Sequence, residues 1–189
     1  MPKLQIIISS TRPGRVGPSI GAWVAEQAGA RGGFDVELID LADVDLPLFD
    51  EPKHPRLGDY AHDHTQRWAA SVASADAFVF VMAEYNHSFT APLKNALDFL
   101  SAEWQHKPVG FVSYGGVAAG TRAVQAIKPV VAALSMIPAG PAVNIAFVGQ
   151  KIDSTGTLRA DDAMEAAAKL MFDELARWIE VLAPLRPGR

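Results

Sequence analysis

The feature that most restricts this chain is a set of short apolar runs separated by helical patterns. The runs are "KLQIIIS" (Lys3 to Ser9), "FDVELID" (Phe34 to Asp40), "AFVFVMA" (Ala77 to Ala83), "KPVGFVSY" (Lys107 to Tyr114) and "IPAGPAVNI" (Ile137 to Ile145). A strand with one face in water alternates apolar and polar residues, whereas a strand apolar at almost every position is covered on both faces. Three of the five runs are of the second kind. The run from Phe34 alternates, with Phe34, Val36 and Leu38 on one face, which predicts an edge strand. Between the runs, Pro18 to Arg31, Asp63 to Ser74, Ala91 to Ser101 and Thr121 to Leu134 place apolar residues at helical spacing. So does a final stretch through Met164, Ala168, Met171, Leu175, Trp178 and Leu182. Pro129 predicts a kink in the fourth helix, and Asp161 or Asp162 can cap the last. Strand and helix alternate five times, which predicts an α/β fold with a parallel sheet and helices on both faces.

The chain of 189 residues suits one domain, residues 1–189, with no linker or repeat to divide it. It has no cysteine, which excludes disulfides, thiolate metal sites and cysteine nucleophiles and suits a reducing cytoplasm. No export signal is read at its start, and no run approaches the ~20 apolar residues of a membrane span. A net charge of −4 without a basic block argues against a nucleic-acid partner. One long irregular segment, Asp43 to Tyr60, contains three prolines and is either functional or plain surface.

In doubly wound sheets ligands bind outside the carboxyl ends of the strands, near the point where strand order reverses. Three loops of unusual composition arrive there. "SSTRPGRVGPSIG" (Ser9 to Gly21) joins the first strand to the first helix and offers hydroxyls, two arginines and glycines ahead of free helix amides. Such a loop suits a phosphate, although a solvated turn before a helix has the same composition. It fits neither G-x-G-x-x-G nor the nucleotide triphosphate loop, so a single phosphomonoester suits it better. "AEYNHS" (Ala83 to Ser88) follows a buried strand; Tyr85 can lie against a flat ring, and Asn86 offers a donor and an acceptor. It also reads as a helix entry with Ser88 or Thr90 as the cap. "SYGGVAAGTR" (Ser113 to Arg122) lets backbone approach a planar edge at Gly115 and Gly116, or is simply a tight turn. One loop takes an anion and two can frame something flat, so a mononucleotide with an aromatic ring satisfies all three. Flavin mononucleotide (FMN) is the natural candidate.

"SSTRPGRVGPSIGAWV", "EYNHS…PLKNALDFL" and "SYGG…AGTRA", in this order and spacing, resemble the NADPH-dependent FMN reductase family over Lys3 to about Ile145. The chain departs from the family pattern at Ser9, where glycine is frequent, and at Ala83, where proline is frequent. The resemblance implies a flavodoxin-like fold with strand order 2-1-3-4-5. It further implies an FMN-dependent oxidoreductase using NADPH or NADH, passing hydride by a ping-pong scheme to flavin, quinone or azo acceptors. Ser10, Arg12 and Ser19, with amides near Gly17 and Ile20, would hold the phosphate. Glu84, Tyr85 and Asn86 would border the ring, and Ser113, Gly115 and Gly116 would meet its pyrimidine end. Homodimers or tetramers formed through the helix of Lys94, Asn95 and Asp98 are also implied.

No catalytic acid or base is assigned; His87, beside the ring loop, is either a proton donor to a reduced quinone or, as such histidines more often are, a plain surface residue. His62 and His64 lack a third ligand at a defined distance, so no metal is assigned, and Asp63 is read as a helix cap. Arg12, Arg15 and Arg122 are all open as partners of a dinucleotide's 2′-phosphate. The competing functions are a flavodoxin-type electron carrier and a redox-sensing FMN-binding protein without steady-state turnover.

Overall fold

The structure is a computed structural model that describes residues 1–186. In chain order it contains β1 (Lys3–Ile8), α1 (Gly17–Arg31), β2 (Asp35–Asp40), α2 (Leu41–Val44), α3 (Asp63–Ser74) and β3 (Ala77–Ala83). There follow α4 (Ala91–Asp98), β4 (Pro108–Tyr114), α5 (Thr121–Ala133), β5 (Ile137–Ile145) and α6 (Asp162–Leu182). The strands form one sheet in the order β2-β1-β3-β4-β5, and every pair is parallel. This is the flavodoxin-like order, with β2 at an edge as its alternation implies.

All seven residues of β3 and all seven of β4 are buried, because helices cover both faces of the central strands. The pleat sends alternate residues to opposite sides. Ala77, Val79, Val81 and Ala83 join a cluster with α1 and α6, whereas Phe78, Phe80 and Met82 join a second with α3, α4 and α5. In the second cluster Trp104 sits 4.9 Å from Phe78 and 5.9 Å from Trp68, ring centre to ring centre. Trp68 Nε1 donates to Ala96 O at 2.9 Å, so the buried indole is satisfied. The strand register pairs Ile8 with Asp40 and Val81, and Tyr114 with Ala83 and Ile145. The carboxyl ends of all five strands therefore lie along one rim.

Several local expectations change. The helix from Ala91 stops at Asp98, three residues before Ser101. α5 is helical on both sides of Pro129, which is compatible with the kink expected there. Proline removes a bond to the carbonyl of Gln125, but both residues are exposed, so water can serve that carbonyl. The irregular segment after β2 carries α2 and a 3-10 turn at Pro55–Leu57. It is tied to α4 by Asn95, which accepts from Phe49 N at 2.9 Å and donates to Pro47 O at 2.7 Å. Asp63 is the first residue of α3 rather than its cap; His62 holds the cap position and makes no side-chain cap bond. An acid in the first turn still meets the positive end of the helix. Asp161, not Asp162, caps α6, accepting from Met164 N at 2.9 Å. Among the described residues no helix is long and apolar enough to cross a membrane.

Candidate functional site

The three unusual loops meet at the carboxyl rim and are fastened to one another. Thr90 stands at the N-cap of α4 but does not cap it; its Oγ1 instead donates to Ser9 O at 2.7 Å, joining the second loop to the first. Tyr114 Oη donates to Ser10 Oγ at 3.0 Å, joining the third loop to the first. Glu84 N donates to Tyr114 O at 3.2 Å, joining the second to the third.

The first loop ends at the start of α1. α1 has no side-chain cap, so its leading amides are unclaimed by the usual device. Gly17 opens the helix against β1. A Cβ there would lie 2.6 Å from Ser10 Oγ, 2.9 Å from Ile8 Cγ2 and 3.0 Å from Tyr114 Oη, so only glycine lets the helix start come this close. Ile20 is buried beneath it. Ser10 is fully buried and accepts from Tyr114, which leaves the Ser10 proton for another acceptor. Burial pushes the Tyr114 hydroxyl up to about 12, against smaller opposing pulls from Ser10, Arg15 and Arg12, so it remains a donor at neutral pH. Arg12 is exposed, and among the described residues no carboxylate pairs with it.

The other polar groups of this loop are engaged within the chain. Arg15 Nη1 bonds Asp40 Oδ1 at 2.6 Å and Ser10 O at 2.5 Å, and the bond to Asp40 raises the arginine's pKa further. Arg15 therefore ties the loop to the end of β2, where Asp40 also caps α2 through Ala42 N. Ser19 Oγ donates to Gly156 O, which places the 153–157 loop against the start of α1. Asp153 shapes that loop, accepting from the amides of Thr155 at 2.9 Å and Thr157 at 3.0 Å. A cavity of about 380 Å³ lies beside the first loop, between Thr11, Leu41, Leu48 and Pro92. Its lining touches the first loop at Thr11 and takes no residue from the second or third loop.

The second loop is a two-residue turn. Tyr85 and Ser88 exchange both backbone bonds, at 2.9 and 3.0 Å. Asn86 and His87 between them have φ of 49° and 66°, the I′ form that ordinarily calls on glycine. Each left-handed non-glycine residue costs about 1–2 kcal/mol, less for asparagine. Tyr85 is 38% exposed, a large surface for an aromatic at a loop tip. Glu84 turns inward: its side chain is 6% exposed and pairs with Arg122 at the start of α5. Arg122 N also donates to Glu84 Oε2 at 3.2 Å, so Glu84 serves the open N-terminus of α5.

The third loop is braced from both sides. Ser113 is buried, and its Oγ lies 2.8 Å from Ala119 O and 2.9 Å from Asn144 Oδ1. Its single proton serves one acceptor, so the pattern is complete when the Asn144 amide presents its NH2 to Ser113. Gly115 N donates to Ile145 O at 3.2 Å, while the carbonyls of Gly115 and Gly116 accept from Val148 N and Phe147 N. Around Gly116 a Cβ would meet nothing within 4 Å, so its surface faces open space. Gly120 turns the chain into α5 with φ of 77°; a Cβ there would sit 2.6 Å from Tyr114 N.

His62 and His64 stack on each other and both bond Asp50, His64 Nε2 at 3.0 Å from its Oδ1. They hold the loop after β2. Among the described residues no group of three or more such ligands gathers. Sequence reasoning missed the support roles of Thr90, Asn144 and the 153–157 loop. Their partners are up to 137 positions away, and no local pattern announces such contacts.

Comparisons with known proteins agree on one family. A family model described as NADPH-dependent FMN reductase matches residues 2–150. An NAD(P)H-dependent FMN reductase of Schizosaccharomyces pombe is 43% identical over 148 residues, 76% of this chain and 74% of that protein. An enzyme of the same description from Saccharomyces cerevisiae is 33% identical over 76% of this chain and 81% of its own. Two remoter relatives are an FMN-dependent NADPH-azoreductase of Staphylococcus saprophyticus and a 2-hydroxy-1,4-benzoquinone reductase of a Burkholderia species. They are 25% and 26% identical over 78% and 94% of this chain, and 79% and 96% of their own. Among solved structures, the flavoenzyme NAD(P)H:(acceptor) oxidoreductase FerB of Paracoccus denitrificans shares the fold, with a TM-score of 0.75 over 96% of this chain and 98% of its own at 19% identity. A family model covering most of the chain, and a relative this similar across three quarters of both proteins, make the chain a member of the NADPH-dependent FMN reductase family, an oxidoreductase that uses FMN and NAD(P)H.

Proposed function

We propose that FMN lies along the carboxyl rim with its phosphate at the start of α1 and its ring between the turn at Tyr85 and the glycine loop. The observation that carries this reading is the arrangement at the helix start: no side-chain cap, a glycine that admits no side chain, a buried serine with its proton unspent, and an exposed Arg12 that no carboxylate among the described residues pairs with. Ser10 would donate its proton to a phosphate oxygen, and Arg12 would supply a charge-assisted fork. The amides of Gly17 and Ser19 would face the phosphate from the helix start, whereas Ile20 N is engaged, donating to Val16 O at 3.3 Å, so Ile20 would contribute only as buried support. The Ser19 hydroxyl contributes only if it leaves Gly156. Tyr85 and Asn86 would border the ring with Glu84 behind them, and Gly115 and Gly116 would admit its edge, with Ser113 bracing their loop from below.

FMN held there would supply two-electron chemistry between NADPH or NADH and an acceptor. The protein's part is to orient the ring, exclude water from one of its faces and leave the other open. A dinucleotide and an acceptor then use the open face in turn, a ping-pong scheme that needs no protein nucleophile. The relatives named for quinone and azo reduction support acceptors of those classes, beside free flavin.

We further take residues 1–189 as one domain acting in the cytoplasm as a homodimer or tetramer. Leu48 (85% exposed) and Phe49 lie beside α4 and would supply apolar surface for a second copy. Turnover with both nicotinamides and a panel of flavins, quinones and azo compounds, on protein of measured FMN content, tests the reading. Continuous NAD(P)H oxidation that depends on acceptor is expected. FMN-replete protein that consumes NAD(P)H once and stops would overturn it.

A further inference from the structure

Arg122 is a candidate for dinucleotide recognition by charge alone, yet its guanidinium is already committed. Nε and Nη2 both reach Glu84 Oε1, the Nε bond at 2.5 Å, and Nη1 lies 2.9 Å from His87 Nε2. Guanidinium has donors and no acceptor, so His87 Nε2 must offer its lone pair, and a neutral ring then carries its proton on Nδ1. One side chain on α5 thus grips both the residue before the turn and the turn's second central residue. That second residue holds φ of 66° without being glycine. The turn itself is closed by only two backbone bonds, between Tyr85 and Ser88.

We propose that Arg122 is the positioning residue of this turn, holding Asn86 and His87 in the left-handed conformation that presents the 85–87 backbone to the flavin ring. The inference rests on the reading that the turn borders FMN. It assigns Arg122 to the ring rather than to the 2′-phosphate of NADPH. Lysine could pair with Glu84 but could not span Glu84 and His87 at once, because it lacks the planar fork. Glycine adopts the left-handed region freely. Substituting it at His87 should therefore make the grip unnecessary.

The test compares Arg122→Ala, Arg122→Lys, and Arg122→Ala with His87→Gly in one chain, measuring FMN affinity, the visible flavin spectrum and KM for NADPH and NADH. Arg122→Ala is expected to raise the FMN Kd about tenfold, the size of one unsupported left-handed residue. It should alter the spectrum and leave the ratio of the two KM values unchanged. Arg122→Lys should fall between, and the double substitution should return affinity to within about twofold of the parent. If Arg122→Ala does not fold, Arg122→Lys with and without His87→Gly carries the same comparison. A selective rise in KM for NADPH, or no recovery in the double variant, overturns the proposal. Tyr85→Ala separates the two levels. If Tyr85→Ala changes the flavin spectrum and Arg122→Ala does not, only the positioning role fails. If neither changes it, the turn does not border the ring.

Discussion

The bond from Tyr114 to Ser10 can be tested as a unit. Ser10 Oγ accepts from Tyr114 at 3.0 Å deep under the first loop, and its remaining proton is the one that would meet the phosphate. A hydrogen bond to a charged group contributes about 1.5–3 kcal/mol and a neutral one about 0.5–1.5 kcal/mol. Ser10→Ala should therefore weaken FMN binding by roughly 1.5–3 kcal/mol, which is about tenfold to a hundredfold in Kd. Tyr114→Phe keeps the ring and its packing but releases the Ser10 hydroxyl to rotate, at about 0.5–1.5 kcal/mol. Because the tyrosine acts on the phosphate only through the serine, the double variant should bind FMN no more weakly than Ser10→Ala alone. Titrating apoprotein with FMN and following quenching of flavin fluorescence gives all four constants. Additive losses would refute the relay, since Tyr114 would then have its own route to the cofactor. No loss in either single variant would remove Ser10 from the site.

Other perturbations follow from the same geometry. Gly17→Ala puts a methyl 2.6 Å from Ser10 Oγ and 2.9 Å from Ile8. It should cost about 1–3 kcal/mol in stability and weaken FMN binding along with it; unchanged melting and affinity would show that α1 does not need this approach. Tyr114 and Tyr60 are both held above the ordinary tyrosine range, chiefly by burial. Raised folded values mean that their contribution to stability is complete below pH ~10, the unfolded value, and is lost as pH rises through the folded ones. Absorbance at alkaline pH should show two of the three tyrosines resisting ionisation until well above pH 10; three titrating together near 10 would contradict the burial. Phe80→Ala removes a fully buried ring between Trp104 and Phe111 and should cost about 3–5 kcal/mol by denaturant titration; a loss under 1 kcal/mol would mean the cluster refills.

The architecture was legible because burial on two faces leaves a mark on every residue of a strand. "AFVFVMA" can only be a covered strand or a buried helix turn, and its neighbours decide between them. The alternation of Phe34, Val36 and Leu38 likewise reports an edge. Boundaries were less legible where tertiary contacts decide them: the α4 helix ends before Phe99 and Leu100, which are buried beyond it. The loops of the candidate site were visible as departures from the surrounding pattern, with Arg, Ser, Gly, Tyr and Asn gathered where a rim was expected. Their fastenings were not. Thr90 looks like a helix cap and serves Ser9; Ser19 looks like a phosphate donor and bonds Gly156; Arg15 looks free and is bound to Asp40. In each case a polar residue that local rules assign to solvent or ligand is claimed by a residue distant in sequence, and only folded geometry shows which.

A crystal structure of the protein with FMN tests the central claim most directly. The account predicts the phosphate at the start of α1 within hydrogen-bond reach of Ser10 and Arg12, and the ring between Tyr85 and Gly116. Cofactor bound at another face, or with its ring and phosphate ends exchanged, would contradict it.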